Sequence, residues 1–478
     1  MLRRGGGGAL AGWRGASLQG VGSFLLPSTR RSVANNGSSS LNFLLSQRRN
    51  VYKQSIFAMS SGRRNVHLKQ PFPLQLGGAL PELDITWEEW GNADNPNVVV
   101  IFPSLSVGSH AKSSVEDPTA GWWEGMIGPD KGIDTDKFRV ICASGLGSPY
   151  GTTSPVSINP NTGEAYGKHF PQVTPTDLAR CHKLLLEHLG LKKIHAAVGA
   201  SLGGCKALSF AAEFPDFVDN VCVINCTGKS SPGSVAYRHV QRQAVIRDPD
   251  YCHGDYALHK KKPVNGMAVA RQLGMITYRT WEELNQRFSW EAEGPFSIGS
   301  DQNFAVERYL KHKANDFVNS YDANCYLLLS KATDLMDLGR GFNTYSEGVL
   351  RITANLMMLA VETDALIPVS EQQHIVQLLQ GSPFSSRLPS FILFPYSLIH
   401  LCVVRSAIAL LFSSLSLIDT FVLETKAHGK PAAIRTLKSI YGHDAFFLDF
   451  AWFIPQVREF LEEGLAKKPH HHRKRFHK

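Results

Sequence analysis

The chain alternates short, continuously apolar segments with segments of helical periodicity, and this alternation limits its fold more than any other feature. The segments VVVIFPSLS (98–106) and FRVICASGLGS (138–148) are short and end in loop residues. Such runs are typical of strands that are buried on both faces of a parallel sheet. The repeated order of strand and helix therefore predicts an α/β fold with a mostly parallel sheet.

The next segments continue this order. Within TPTDLARCHKLLLEHLGLKKI (174–194), an N-cap threonine, helical apolar spacing and a terminating Gly190 predict a helix. HAAVGASLGG then predicts a strand and a turn, GCKALSFAAEFP a helix, and VDNVCVINCTG another strand. Upstream, ITWEEWGN (85–92) alternates polar and apolar residues, which predicts a strand at the edge of the sheet.

Basic residues are concentrated at the N-terminus. Residues 1–81 contain eleven Lys or Arg and neither Asp nor Glu, whereas the remainder holds 39 basic and 41 acidic residues. The net charge of +9 therefore does not indicate a nucleic-acid-binding surface, because the body of the chain is nearly neutral. The Arg-, Ser- and Gly-rich start is typical of a transit peptide, and we expect a mitochondrial matrix address, with plastid or cytoplasm as alternatives. A disordered basic tail without a targeting role is the other interpretation.

The eight cysteines include no Cys-x-x-Cys pair, and in a chain of this length we expect free thiols in a reducing compartment and no metal site.

Residues 391–423 form a long apolar run. Pro395, His400, Arg405 and Asp419 interrupt it and leave fewer clean apolar residues than a bilayer span needs. We therefore expect no membrane span.

The pentapeptide Gly-Ala-Ser-Leu-Gly (199–203) lies between a predicted strand and a predicted helix. A strained turn of this kind holds a serine hydroxyl clear of the backbone, and its glycines avoid side-chain clashes. Ser201 is thus a candidate nucleophile, although a serine here is also a common helix N-cap. A serine hydroxyl needs a base to remove its proton and an acid to orient that base.

Asp364 and His443 are the candidate acid and base. Asp364 in VETDALIP directly follows an apolar strand, and His443 in SIYGHDAFFL precedes a helix. Each is a weak signal alone, but with Ser201 they have the chain order of an α/β-hydrolase triad. The oxyanion of the tetrahedral intermediate needs two N–H donors, which we assign to the amides of Leu202 and of Leu105.

The order of strands, helices and triad residues therefore predicts an α/β-hydrolase fold. An inserted helical lid is also predicted, because the pattern changes to polar-faced helices before strands resume at ITANLMMLAVETDALIP. The predicted boundaries are 1–64 for the transit peptide, 65–228 for the first part of the core, 229–345 for the lid, 346–465 for the second part, with an apolar insertion at 381–426, and 466–478 for a solvated basic tail.

Five longer motifs are GWWEGMIGPDKGIDTDKFRVICASGLGSPYGTTSPVSINPNTGEAYGKHFPQVTPTDLARCHKLLLEHLG, GASLGG, GMAVARQLGMITYRT, YDANCYLLLSKATDLMDL and YGHDAFFL. Together they resemble the homoserine O-acetyltransferase family of α/β-hydrolase-fold acyltransferases, which includes serine O-acetyl- and O-succinyltransferases. The resemblance covers about residues 70–380 and 425–465. It is specific, because the Gly-Trp-Trp and Asn-Pro-x-Thr-Gly segments are not general features of α/β-hydrolases.

The resemblance implies a ping-pong reaction. Ser201 attacks the thioester of an acyl-CoA, His443 takes its proton, CoA leaves, and the hydroxyl of a small amino acid attacks the acyl-enzyme. The resemblance further implies that Arg271 binds the substrate carboxylate, Tyr278 lines the substrate pocket and Asp444 holds the α-amino group, as a zwitterion requires. A surface ion pair for Arg271 and a helix N-cap for Asp444 are the alternatives. No bound cofactor is expected, and a homodimer is implied.

The expected function is acyl transfer from CoA to serine or homoserine, in cysteine or methionine biosynthesis. The segment SSPGSVAYRHVQRQAVIRDPDY and the pair Gly274-Met275 look more like the serine-acylating members, so serine is favoured. We expect an acetyl group from acetyl-CoA and leave succinyl-CoA open. A hydrolase of the same fold, which needs no site for an ammonium group, and a catalytically inactive binding protein are the alternatives.

One segment departs from the family pattern. Asp364 and His443 are 79 residues apart, and the excess is the apolar insertion at 381–426, which interrupts the helix and strand that lead to the base. A surface loop this apolar would expose a large adhesive patch. We interpret the insertion as a translated intron or gene-model error, with a membrane-surface or partner-binding element as the alternative.

Overall fold

An eight-stranded sheet carries the fold in the computed structural model, which describes residues 62–299, 303–381 and 430–466. Almost all of the predicted transit peptide, apolar insertion and basic tail lies outside these residues. The strands are β1 (Arg64–Leu68), β2 (Phe72–Pro73), β3 (Ala79–Leu80), β4 (Leu83–Trp90), β5 (Val98–Phe102), β6 (Arg139–Ala143), β7 (Ile194–Ala200), β8 (Val218–Ile224), β9 (Asn355–Val361) and β10 (Ala432–Leu437).

The main sheet has the order β1-β4-β6-β5-β7-β8-β9-β10, while β2 and β3 form a separate small pair. The pairs β1–β4 and β4–β6 are antiparallel, and the pairs from β6 through β10 are parallel. This topology confirms the predicted mostly parallel sheet of an α/β-hydrolase fold. It also brings the carboxyl ends of β5, β7, β8, β9 and β10 to one edge, where loops that carry function gather.

The prediction of an edge strand at 85–92 is wrong, because β4 lies between β1 and β6 and β1 is the edge. The polar residues that produced the alternation are paired rather than solvated. Glu88 is buried and accepts a hydrogen bond from Ser109 Oγ at 2.8 Å. Glu89 accepts from Arg139 Nη2 at 2.8 Å. A polar residue on a strand therefore did not mark a solvated face here.

The helices follow the strands in the predicted order. Thr174 caps the first helix through a capping box with Asp177, as the sequence predicted for the N-cap. The helices are α1 (Pro175–His188), α2 (Leu202–Glu213), α3 (Pro232–Ile246), α4 (Val264–Tyr278), α5 (Trp281–Arg287), α6 (Ala305–Ser320), α7 (Ala323–Asp334), α8 (Tyr345–Leu350), α9 (Val369–Gln380) and α10 (Phe450–Ala466). None of the helices in the described ranges is long and apolar enough to cross a bilayer.

Side chains of β5 pack on both faces of the sheet. Val98, Val100 and Phe102 join an apolar cluster that includes residues of α1 and α2. Val99 and Ile101 join a second cluster that includes residues of α10. Because all five side chains are at most 1% exposed, β5 is the doubly buried strand that its sequence predicted.

Helices α3 to α7 lie between β8 and β9, within the range that the sequence assigned to a lid. They build a third apolar cluster, with Met267 of α4, Phe317 of α6 and Tyr326 of α7 among its buried members. Helix α4 packs against α3 and α6, and α7 packs against α3. This cluster fixes which faces of α3 and α7 are turned towards each other.

Lys206 is a buried cation on α2, with 1% of its surface exposed. Burial lowers the pKa of its ammonium group from 10.5 to about 7, and thiols rather than carboxylates, those of Cys142, Cys181 and Cys205, oppose this shift. Between about pH 7 and the ordinary value, the unfolded chain binds more protons than the folded chain. The free energy of unfolding therefore rises with pH across this interval.

We expect Lys206→Met to stabilise the protein near pH 6 by at least about 1.4 kcal/mol, the equivalent of one pKa unit. The gain shrinks towards pH 10, because there the lysine of the wild type is neutral in the folded state. Urea unfolding at several pH values measures the difference, and Lys192→Met, at an exposed lysine, is the control. A gain in stability that does not change with pH would show that the charge of Lys206 is not what destabilises the folded state.

Candidate active site

Ser201 lies at the turn between β7 and α2, with a positive φ of 55° and ψ of −125°. This conformation is strained for a non-glycine residue and is typical of a nucleophile elbow. A Cβ atom on Gly199 would overlap the backbone of Gly203, and one on Gly203 would overlap the carbonyl oxygen of Phe102. The two glycines are thus required by close backbone contacts, as the motif predicted.

The structure brings Ser201, His443 and Asp364 together in one hydrogen-bonded chain. Ser201 Oγ lies 2.8 Å from His443 Nε2, and His443 Nδ1 lies 2.7 Å from Asp364 Oδ2. Asp364 follows β9, and its Oδ1 accepts hydrogen bonds from the amides of Leu366 at 2.8 Å and Ile367 at 3.0 Å. His443 follows β10. The acid is thereby oriented to hold the base.

The environment of His443 is suited to a general base. Burial opposes the charged imidazolium, but the charge of Asp364 and its hydrogen bond outweigh burial, so the pKa of His443 is raised. With Nδ1 donating to Asp364, Nε2 accepts the proton of Ser201. The arrangement supplies a nucleophile, its base and the group that orients the base.

Leu105 and Leu202 both line the cavity beside Ser201. The loop that carries Leu105 is anchored at two points, because Tyr321 Oη donates to the Leu105 carbonyl at 2.7 Å and Ser104 Oγ donates to the Ala200 carbonyl at 2.8 Å. The two amides assigned to the oxyanion hole therefore belong to fixed segments on either side of the nucleophile.

Of the three residues that the resemblance assigned to substrate, only Tyr278 lines this cavity. Its ring centroid lies 5.7 Å from that of His443. The Arg271 guanidinium lies behind it, 6.0 Å from the Tyr278 centroid and 4.9 Å from that of Phe317. Arg271 Nε is buried, and no described residue accepts a hydrogen bond from it. The arginine therefore has unused donor capacity rather than a surface ion pair.

Asp444 forms an ion pair with Arg279, with Oδ2 3.2 Å from Nε. Burial raises the pKa of Asp444, and the charge of Arg279 opposes this shift. Asp444 lies inside the short helical segment Gly442–Phe447 and is not its N-cap. The carboxylate beside the base is thus charge-paired, and an ammonium ligand would share it with the guanidinium.

Sequence reasoning missed several polar residues that face Ser201 from the lid. They lie on α3 and α7 and are Arg238, Gln241, Tyr326, Ser330 and Thr333. The spacing of Arg238, Gln241 and Arg242 places the three on one helical face, which was the available signal. No group of three His, Cys, Asp or Glu in the described part of the chain is arranged to hold a metal ion.

Asn225 connects the end of β9, which precedes the acid, with the backbone of the base. It lies directly after β8, is fully buried and has a positive φ of 46°. Its Nδ2 donates to the His443 carbonyl at 3.2 Å, and its Oδ1 accepts from the Val361 amide at 3.1 Å. Asn225 is therefore a positioning residue for the triad that sequence reasoning did not identify.

We expect Asn225→Gly to slow the reaction of Ser201 with a fluorophosphonate by about 10- to 100-fold, because small displacements of reacting groups lower rates strongly. Glycine keeps the positive φ and removes only the side-chain bonds. The control is Asn220→Gly, since Asn220 is buried in β8, the strand that Asn225 follows, and bonds to the His195 carbonyl at 2.9 Å. Equal slowing in both variants would show a general effect on folding.

The described residues on either side of the apolar insertion meet in space. Lys430 N donates to the Leu379 carbonyl at 3.3 Å, and Gln380 Nε2 donates to the Ala432 carbonyl at 2.8 Å. Gly381 ends α9 with a positive φ of 69°. If Gly381 were joined directly to Lys430, residues 379, 380, 381 and 430 would form a four-residue turn with its usual hydrogen bond.

We expect a variant without residues 382–429, with Gly381 joined to Lys430, to fold and to keep a reactive Ser201. The two flanking segments already share hydrogen bonds, and the triad contacts come from residues outside the excised range. Fluorophosphonate labelling and thermal unfolding of the variant measure the outcome, with a Ser201→Ala version as the unlabelled control. A folded variant that fails to label would show that the segment completes the site.

Comparisons with known proteins fit this geometry. The family model described as the alpha/beta hydrolase fold matches residues 97–388, so the chain has an α/β-hydrolase fold. A serine O-succinyltransferase from Litchfieldella anticariensis is 36% identical over 414 residues, covering 84% of this chain and 99% of its own length. A homoserine O-acetyltransferase from Symbiobacterium thermophilum is 34% identical over 407 residues, covering 84% and 94%. The chain belongs to this family of homoserine and serine O-acyltransferases and is an acyltransferase.

A solved structure has the same fold. The homoserine O-acetyltransferase from Bacillus anthracis superposes with a TM-score of 0.69 at 24% identity, covering 84% of this chain and 97% of its own.

Proposed function

We propose that the protein transfers an acyl group from acyl-CoA to the side-chain hydroxyl of L-serine or L-homoserine, with serine favoured, through an acyl-Ser201 intermediate. The observation that carries the proposal is the hydrogen-bonded chain from Ser201 through His443 to Asp364. Acetyl-CoA and succinyl-CoA are the two donors to consider, since the relatives are named for one acyl group or the other.

In the first half-reaction, His443 Nε2 accepts the proton as Ser201 Oγ attacks the thioester carbonyl. The amides of Leu105 and Leu202 stabilise the oxyanion, and Asp364 stabilises the imidazolium. The tetrahedral intermediate then collapses, CoA leaves as the thiol with the proton held by His443, and the acyl group remains on Ser201. Each proton and each bond is accounted for without a further co-reactant.

In the second half-reaction, the acceptor hydroxyl gives its proton to His443 and attacks the acyl-Ser201 carbonyl. Asp444 lies beside the base and offers a carboxylate to the acceptor ammonium, and Arg271 offers unused N–H donors to its carboxylate. These charges favour an amino acid over water as the acceptor. The bond between the acyl carbon and Ser201 Oγ then breaks, Oγ takes the proton from His443, and the O-acylated amino acid leaves.

The preference for serine over homoserine rests on two segments of the sequence. The two acceptors differ by one methylene, which is worth about 1–3 kcal/mol of discrimination in a pocket. The segment around α3 and the pair Gly274-Met275 look more like those of serine-acylating members. The relatives are divided, one being named for serine and the other for homoserine.

Product identification tests the proposal. Purified protein is incubated with acetyl-CoA or succinyl-CoA, each crossed with serine and homoserine, and the products are identified by mass spectrometry. We expect CoA release to rise when an acceptor is added, O-acylserine to be the main product, and Ser201→Ala to lower the rate by at least about 1,000-fold.

Two results would contradict the proposal. CoA release that does not respond to either acceptor would indicate a hydrolase. Absence of both CoA release and an acyl-Ser201 adduct would indicate a catalytically inactive binding protein.

A further inference from the structure

Arg238 of α3 lies in the wall of the cavity beside Ser201 and is only 7% exposed. Its Nε donates to Asp334 Oδ1 at 2.6 Å, and its Nη2 donates to Ser230 Oγ at 3.0 Å. Within the described ranges, no residue accepts a hydrogen bond from Nη1. The guanidinium is thus held on one side and keeps a donor for an additional acceptor.

A second arginine shares the same counter-ion. Arg242 lies one turn further along α3 and donates from Nη2 to Asp334 Oδ2 at 2.5 Å and from Nη1 to Ser330 Oγ at 2.9 Å. Asp334 also lies 3.9 Å from the exposed Lys331. Two buried guanidinium groups therefore share one carboxylate, and a positive charge remains uncompensated. Such a charge is unfavourable in a buried site until an anion binds.

The polar groups around the cavity come from different elements. Tyr278 of α4, with Arg271 near its ring and Asp444 after the base, forms the first wall, which the proposed function assigns to the amino acid. Arg238 and Gln241 of α3 line the cavity together with residues of α7 and form the second wall. Tyr326 Oη donates to Gln241 Oε1 at 3.0 Å, which leaves the Gln241 amide N–H groups as further donors. The second wall therefore presents donors and a net positive charge.

Since the first wall is assigned to the amino acid, the acyl group on Ser201 is the reactant that the second wall can contact. A zwitterionic acceptor brings one carboxylate, for which Arg271 has unused N–H donors. An acetyl group ends in a methyl and leaves the excess positive charge of the cluster of Arg238, Arg242 and Asp334 without an anion, whereas a four-carbon dicarboxylic acyl group ends in a carboxylate. A site that is built to pair a charged group discriminates strongly against analogues that lack it.

We infer that Arg238 binds the terminal carboxylate of a dicarboxylic acyl group, so that the preferred donor is succinyl-CoA rather than acetyl-CoA. This inference rests on the proposed acyl transfer and favours succinyl-CoA, whereas the sequence favoured acetyl-CoA and left succinyl-CoA open. The charge of Arg238 also lowers the basicity of His443. An acyl carboxylate that pairs with Arg238 offsets this effect during the second half-reaction.

The test compares succinyl-CoA with butyryl-CoA, which has the same chain length without the terminal carboxylate, and with acetyl-CoA. Serine is the acceptor, and kcat/KM is measured for each donor. We expect the wild type to prefer succinyl-CoA over both other donors. In Arg238→Met the ratio of kcat/KM for succinyl-CoA to that for butyryl-CoA falls about 100-fold, as for a buried charge pair that loses one partner.

Arg242→Met is the matched control, because Arg242 is similarly buried and bonds to the same Asp334 but does not line the cavity. We expect the donor ratio to fall less in this variant than in Arg238→Met, because the excess positive charge is lost but Arg238 keeps its free N–H donor at the cavity. Arg238→Lys keeps the charge and retains part of the preference, and it replaces Arg238→Met as the informative variant if the latter does not fold.

Three outcomes overturn the inference. They are a wild type without preference for succinyl-CoA, an equal fall of the ratio in the Arg242 control, and an Arg238 variant that raises the KM for serine while the donor ratio stays constant. Failure of the proposed function looks different, since no donor then yields an acyl-Ser201 adduct.

Discussion

The contact between the elbow backbone and strand β5 is the constraint on which the rest of the site depends. Gly203 lies so close to the carbonyl of Phe102 that no side chain fits between them. Helix α2 therefore begins directly against the end of β5, and the loop that follows β5 passes beside Ser201. The nucleophile and both candidate oxyanion amides are thus placed by the same backbone contact, and the strained φ of Ser201 is its local consequence.

The lid adds charge to a site whose framework is apolar. The strands beneath Ser201 are buried among aliphatic residues, whereas α3 and α7 bring guanidinium, carboxylate and hydroxyl groups to its open side. The cluster of Arg238, Arg242 and Asp334 joins these two helices across 96 and 92 residues of sequence. The triad and the charged groups of the lid therefore come from different parts of the chain.

Patterns within short segments of the sequence predicted the features that depend on neighbouring residues. The buried strands, the cap of α1 and the elbow at Ser201 followed from short segments. Asp364 followed from its place after a strand, and His443 from its place before a helix and the chain order of the triad. The polar residue Glu88 led to the wrong prediction that β4 is an edge strand. Its partners Ser109 and His110 come from a loop, which the sequence of β4 does not reveal. The position of Arg238 on the cavity depends on how α3 packs against α7, which spacing within α3 does not determine.

The end of β8 carries none of the three proposed catalytic side chains, yet it hydrogen-bonds at or near all three residues. The Ile224 carbonyl accepts a hydrogen bond from the Ser201 amide at 2.9 Å, and Asn225 bonds to the end of β9, before Asp364, and to the His443 carbonyl. Two adjacent residues, Ile224 and Asn225, thus hydrogen-bond to the backbone at or near all three residues of the triad. A substitution that shifts this strand end would therefore act on the nucleophile, the acid and the base together.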